Sequence, residues 1–136
     1  MDRSDPTSEV VLDASAFVDL LIAGRDGRVA RHVRGVLTYV VPSVFDAEVI
    51  SAMRRRWLRG EESLDVRAVV HEALVDPQIE RLPTDTLNRR ILELSDNLTP
   101  FDASYVALAE ALGLPLITVD ARLSRAPGPT CRIELV

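Results

Sequence analysis

The chain has 136 residues, 47% of them hydrophobic and 27% charged, with a formal net charge of -5 at pH 7. Against about 150 residues per domain this is one domain, 1–136, able to bury a core without disulfide or metal staples, and disordered or collagen-like compositions are excluded. All 16 basic residues are arginine, which removes lysine-dependent phosphate loops, Schiff-base enzymes and receiver domains that pair an aspartyl phosphate with a lysine.

In chain order, residues 1–8 are expected as a flexible tail and Glu9 to Leu12 as a short apolar strand ending at Asp13. Ala14 to Ile22 reads as a helix stopped at Gly24, and Asp26 to Val33 as a second, shorter one. Val36 to Val41 is a β-branched strand closed by Pro42. A long helix over Ser43 to Arg59 follows, with Ser43 as N-cap, Asp46 three residues later and Gly60 at its end. Leu64 to Val75 has helical spacing, Gln78 to Leu82 reads as a strand and Asp85 to Leu94 as a helix. Thr99 and Pro100 open a helix over Phe101 to Leu112 that Gly113 closes. Pro115 to Val119 is an apolar strand ending at Asp120, Ala121 to Ala126 a short helix, and Cys131 to Leu135 a last strand. Strands alternating with helices predict an α/β fold with a largely parallel sheet covered on both faces.

No apolar run approaches the ~18 residues of a membrane span, and Met1 to Glu9 lacks the apolar stretch of a secretory leader. A lone cysteine, Cys131, cannot form an internal disulfide or a thiolate cage, which fits the cytoplasm. The acidic balance argues against a broad nucleic-acid coat while leaving room for a local basic groove. Arg54, Arg55, Arg56 and Arg59 supply such a patch on the Ser43–Arg59 helix; RNA phosphates or a solvated helix end account for it equally well. Trp57 among them suits packing better than base stacking.

Ligands in open α/β sheets bind outside the carboxyl ends of the strands, where Asp13 and Asp120 sit. Taken singly, each is more simply a helix cap. Glu48 and Asp102 lie near the starts of their helices and can lean over the same edge. Asp46 points roughly 200° around its helix from Glu48 and is assigned to the cap. Two carboxylates ~4 Å apart repel by ~4 kcal/mol at an effective dielectric near 20, so four converging acids require a counter-charge. With no lysine and the arginines clustered at the far end of the helix, a divalent cation is the economical choice, and oxygen-only ligation selects Mg²⁺ or Mn²⁺. Ser15 and Thr118, each two residues from an acid, can orient a carboxylate or bond the local backbone. His32 and His71 stand apart from the acids.

Four segments carry a family resemblance: Val11-Leu12-Asp13-Ala14-Ser15-Ala16, Val41-Pro42-Ser43 with Ala47-Glu48-Val49, Asn97 to Glu110, and Pro115 to Leu123. In this order they resemble PIN-domain proteins of the VapC toxin type. One departure is Phe101 where the family often has Tyr, which loses a hydroxyl but no carboxylate. The resemblance implies a five-stranded parallel sheet in the order 3-2-1-4-5, bringing Asp13 beside Asp120. It also implies a Mg²⁺- or Mn²⁺-dependent endoribonuclease, usually homodimeric and held inactive by a cognate antitoxin. Asp13, Glu48, Asp102 and Asp120 fall on the family's acidic positions. Asp13 and Asp102 are expected as direct metal ligands, Glu48 as ligand or orienter of the attacking water, and Asp120 as a second-metal or water-mediated ligand. Two readings compete: a catalytically silent RNA-docking or dimerisation module, and a phosphatase using a strand-end Asp. Ala14-Ser15 after Asp13, in place of a second Asp two residues on, speaks against the latter.

Overall fold

The computed structural model describes residues 8–63 and 65–136. Of the expected tail, residues 1–7 lie outside the described residues; the Ser8 carbonyl accepts hydrogen bonds from the Leu37 and Thr38 amides at 2.8 and 3.0 Å. Leu64, the expected start of a helix, also lies outside them. Strands β1 (Glu9–Leu12), β2 (Thr38–Pro42), β3 (Ile79–Leu82), β4 (Leu116–Thr118) and β5 (Ile133–Leu135) alternate with helices. These are α1 (Ala14–Ala23), α2 (Arg28–His32), α3 (Phe45–Leu58), α4 (Val66–Leu74), α5 (Asn88–Leu94), α6 (Pro100–Leu112) and α7 (Ala121–Arg125).

All five strands run parallel in one sheet ordered β3-β2-β1-β4-β5. Val11 stands opposite Val40 on one side and Leu116 on the other, and Leu12 opposite Ile117. Val10, Val11 and Leu12 are all buried, as are Tyr39, Val40 and Val41. Successive strand residues point to opposite faces, so unbroken burial means that both faces are covered. The strand order reverses between β1 and β4, and the Asp13 amide donates to the Ile117 carbonyl across that junction (3.0 Å). This topological switch point opens a crevice at the carboxyl ends of the two central strands.

Helix α6 forms the innermost helical layer. It packs on β1, β2 and β4, and every residue from Ala103 to Ala109 is buried. Three of those seven are alanine, which lets the helix axis lie close to the sheet. Its ends are fixed by sequence: the Thr99 hydroxyl accepts from the Asp102 amide (3.1 Å), Pro100 fills the first turn, and Gly113 closes the helix in the left-handed region at φ 67°. At the other side of the core, Phe17 of α1 meets Phe45 of α3 edge to face, with ring centroids 5.1 Å apart.

Several expected elements begin differently: the strands expected from Val36 and Cys131 start at Thr38 and Ile133, and the helix expected over Asp85 to Leu94 divides into a 3-10 turn, Asp85–Leu87, and α5. Two further cases have a clear local cause. The helix expected from Ser43 starts at Phe45, because Val44 already has helical backbone angles and occupies the cap position, and no side chain caps it. Asp46, assigned to that cap, instead accepts from Arg81 Nε of β3 at 2.7 Å. The helix expected over Asp26 to Val33 divides into a 3-10 turn, Gly24–Asp26, and α2, with extended Gly27 between them. A side-chain carbon at Gly27 would lie 2.6 Å from Ala23 Cβ, so only glycine lets the chain turn there.

Candidate active site

Asp13 occupies the N-cap position of α1 but its side chain makes no cap bond. Its backbone carbonyl takes the Ala16 and Phe17 amides (3.0 and 3.1 Å), which releases the carboxylate to face the crevice. Oδ2 accepts from Ser15 Oγ at 2.5 Å and from Thr118 Oγ1 at 2.8 Å. The Thr118 hydroxyl in turn accepts the Asp120 amide (3.0 Å). One carboxylate oxygen is thus held by β4 and by the first turn of α1, while Oδ1 has no hydrogen-bond partner among the described residues. Asp13 is 5% exposed, and burial raises its carboxyl pKa; the two hydroxyls oppose that rise, and the charges of Asp102 and Asp120 add to it.

Glu48 projects from the first turn of α3 and Asp102 from the first turn of α6. Burial is the largest cause of the raised pKa of Glu48, opposed by the Tyr105 hydroxyl and reinforced by Asp13 and Asp102. Burial also leads for Asp102, with Arg122 opposing and Asp120 reinforcing. These mutual influences tie Asp13, Glu48, Asp102 and Asp120 into one electrostatic neighbourhood. Glu48 Oε1 and the Tyr105 hydroxyl are buried without a hydrogen-bond partner of ordinary geometry, although each is close enough to shift the other's titration. The Tyr105 pKa is driven far up by burial and then by Glu48. Removing that hydroxyl in Tyr105→Phe takes away the influence that lowers the Glu48 pKa. If Glu48 takes part in the reaction at this site, the acid limb of its pH–rate profile is expected to move to higher pH, measured as initial rates from pH 4 to 9.

Asp120 does both things its position allows. Oδ1 caps α7 through the Arg122 and Leu123 amides (2.9 and 3.4 Å), and Oδ2 meets Arg122 Nη2 at 3.2 Å. The same Nη2 reaches Asp102 Oδ2 at 3.5 Å. Arg122 therefore supplies a positive charge beside the acids from outside the Arg54–Arg59 cluster, the only arginines weighed as counter-charge in the sequence. The signal was its place two residues after Asp120, within reach of a strand-end carboxylate. Its side chain is 73% exposed, so solvent screens the contact strongly and the guanidinium is loosely held. Tyr105, three residues after Asp102 on α6, was also missed; it reads in sequence as an ordinary core aromatic.

The all-oxygen set of Asp13, Glu48, Asp102 and Asp120 fits a hard divalent cation, and the orphaned Glu48 Oε1 and free Asp13 Oδ1 are oxygens without another task. Among the described residues no three acidic, histidine or cysteine side chains stand together as a group that could hold a metal ion, so the four acids would have to draw closer around it. The expected basic patch divides. Arg56 pairs with Glu62 (2.5 Å) and Arg59 with Glu61 (2.6 Å), whereas Arg54 and Arg55 have no carboxylate partner among the described residues. Half-buried Trp57 packs on the core under the Arg67 guanidinium, 5.1 Å from the ring centroid. Two clefts flank the acids: one of about 380 Å³ lined by Thr99, Asp102, Arg122 and Arg125 among others, and one of about 360 Å³ that includes Glu48 and Phe101.

A parallel sheet of this order with acids gathered at its switch point defines the class, and comparison with known proteins agrees. The PIN domain family matches residues 10–129. Ribonuclease VapC12 of Mycobacterium tuberculosis is 41% identical over 128 residues, covering 93% of this chain and 98% of that protein. Ribonuclease VapC1 of the same organism is 42% identical over 132 residues, covering 94% and 98%. The crystal structure of Mycobacterium tuberculosis VapC20, a sarcin-ricin loop cleaving toxin, superposes with a TM-score of 0.65 at 16% identity over 85% of this chain and 92% of that one; it shares the fold. The chain belongs to the PIN-domain family, in its VapC group.

Proposed function

We propose that this chain is a Mg²⁺- or Mn²⁺-dependent endoribonuclease, the toxin of a toxin–antitoxin pair, hydrolysing RNA phosphodiesters with water as nucleophile. The observation that carries the reading is the set of three carboxylates at the switch point of the sheet, Asp13, Glu48 and Asp102, each with a pKa raised by burial and further by the charge of a neighbouring acid. Such a cluster costs stability unless it serves a site, and perturbed carboxyls in a crevice mark chemistry.

Asp13 and Asp102 would hold the ion directly, with Glu48 and Asp120 as further ligands or as partners of its waters. When bound, the ion supplies a water acidic enough to attack at neutral pH and positive charge against the phosphodiester oxygens. Ser15 and Thr118 fix one oxygen of Asp13 and so aim the other into the crevice. Glu48, half-buried beside Tyr105, is suited to accept a proton from the attacking water, since its raised pKa moves toward working pH. Arg122 is poised to leave the acids for a phosphate oxygen as RNA enters. Ribonuclease VapC12 and ribonuclease VapC1 support RNA as substrate. The reading further places the protein in the cytoplasm, as a homodimer with a separate antitoxin protein as inhibitor; no helix among the described residues is long and apolar enough to cross a membrane.

The Arg122 contact favours a second reading, a silent docking module whose acids are neutralised in place. Cleavage assays separate the two. RNA is expected to be cut only with Mg²⁺ or Mn²⁺, EDTA to stop the reaction, and Asp102→Asn to lower the rate by at least ~10²-fold with unchanged circular dichroism. Antitoxin is expected to suppress it. Full activity in EDTA, or in Asp102→Asn, refutes the proposal.

A further inference from the structure

The cleft of about 360 Å³ beside Glu48 is lined by Val44, Ala47, Ser51 and Phe101 as well. Val44 and Ala47 give it an apolar floor, and the Phe101 ring forms a wall. That ring is 54% exposed although it stands on the first turn of α6, where the Thr99 cap and Pro100 fix the backbone. The fold leaves the ring largely uncovered, on a fixed stretch of backbone next to Asp102. At the rim, Arg55 Nη1 donates to Ser51 Oγ at 3.2 Å, which brings a guanidinium with no carboxylate partner among the described residues to the mouth of the cleft. An apolar floor and an aromatic wall match the base of a nucleotide and a cation at the rim matches its phosphate, whereas an apolar protein side chain would leave the cation unused.

We infer that this cleft is a nucleotide subsite, in which the base of an unpaired RNA nucleotide next to the scissile phosphate stacks on Phe101 over Val44 and Ala47 while Arg55 meets the adjoining phosphate. The inference rests on the RNA-cleavage reading only for where the scissile phosphate lies. A base must leave its own helical stack to present a face to the ring, so the subsite selects single-stranded or looped RNA over duplex.

The test follows fluorescence anisotropy of a fluorescein-labelled RNA of about 12 nucleotides containing all four bases, single-stranded and annealed to its complement, in EDTA. Phe101→Ala is expected to weaken single-strand binding about 5- to 150-fold while leaving duplex affinity nearly unchanged. Phe101→Trp keeps the affinity, and the introduced indole is quenched as RNA binds. Arg55→Gln lowers the slope of log affinity against log salt by about 0.7. Unchanged single-strand affinity in Phe101→Ala overturns the inference, as does an equal loss for duplex. A Phe101→Ala protein that binds RNA normally but no longer binds its antitoxin gives the cleft to the protein partner and overturns it too. If binding depends on Phe101 while the parent protein never cuts RNA with either metal, the subsite stands and the cleavage reading falls.

Discussion

Asp13→Asn is expected to lose RNA cleavage by at least ~10³-fold and, without divalent ions, to unfold at a higher temperature than the parent at pH 7. Both effects have one origin. Burial raises the Asp13 carboxyl pKa in the folded chain above its unfolded value, so between those two values the folded state binds more protons than the unfolded one. Stability from this group is then complete below the unfolded carboxyl pKa and is lost as pH rises through the folded one. Asparagine is neutral throughout, and its carbonyl oxygen can still accept from Ser15 and Thr118. A gain of about 0.5–2 kcal/mol at pH 7 is expected, shrinking as pH falls through the carboxylate range. Thermal melts of both proteins at pH 4 and pH 7 measure it. An asparagine variant that is inactive and also less stable at pH 7 would make Asp13 a structural residue.

Mn²⁺ or Mg²⁺ is expected to raise the melting temperature of the parent chain and to leave Asp13→Asn unmoved. An ion that binds only the folded state stabilises it by about 2.7 kcal/mol when present at a hundred times its dissociation constant. The ion also offsets the burial and, secondarily, the neighbouring charges that raise the pKa values of Asp13, Glu48 and Asp102, so the stabilisation is expected to weaken below pH 5, where protons compete for the same oxygens. Arg122 must give up Asp102 and Asp120 for this to happen, and its exposure keeps that contact weak. Scanning calorimetry with and without each metal decides the matter: equal melting temperatures in the two conditions at pH 7 would mean that the acids hold no ion.

Much of the fold was legible because its signals are local. The apolar runs at Val10 to Leu12 and Leu116 to Ile117 cannot be half-exposed strands, and Thr99-Pro100 with Gly113 brackets α6 at both ends. The strand order came from the family resemblance, because nothing in the periodicity says which parallel strands are neighbours. Asp13 and Asp120 look alike in sequence, each a strand-end acid before a helix, yet only Asp120 caps its helix through the side chain. The difference lies in Ser15, two residues on, and in Thr118, which reaches Asp13 Oδ2 across the β1–β4 junction; the first relation is local, whereas the second joins distant residues and no local rule contains it. Ser43 failed as a cap although its spacing to Asp46 was right: Val44 already has helical backbone angles, so the helix starts at Phe45, and Asp46 pairs with Arg81 on β3. Arg122 and the exposed ring of Phe101 were invisible as site features because their meaning depends on what the folded crevice places beside them.

The bond that aims Asp13 joins residues 105 positions apart. The crevice is complete only when the first and fourth strands have found each other across most of the polypeptide, a closure expected late in folding. A partly refolded molecule can have native helices and still be harmless, so the return of catalytic turnover after dilution from denaturant would time the slowest long-range closure in the molecule, and recovery of helical signal would precede it.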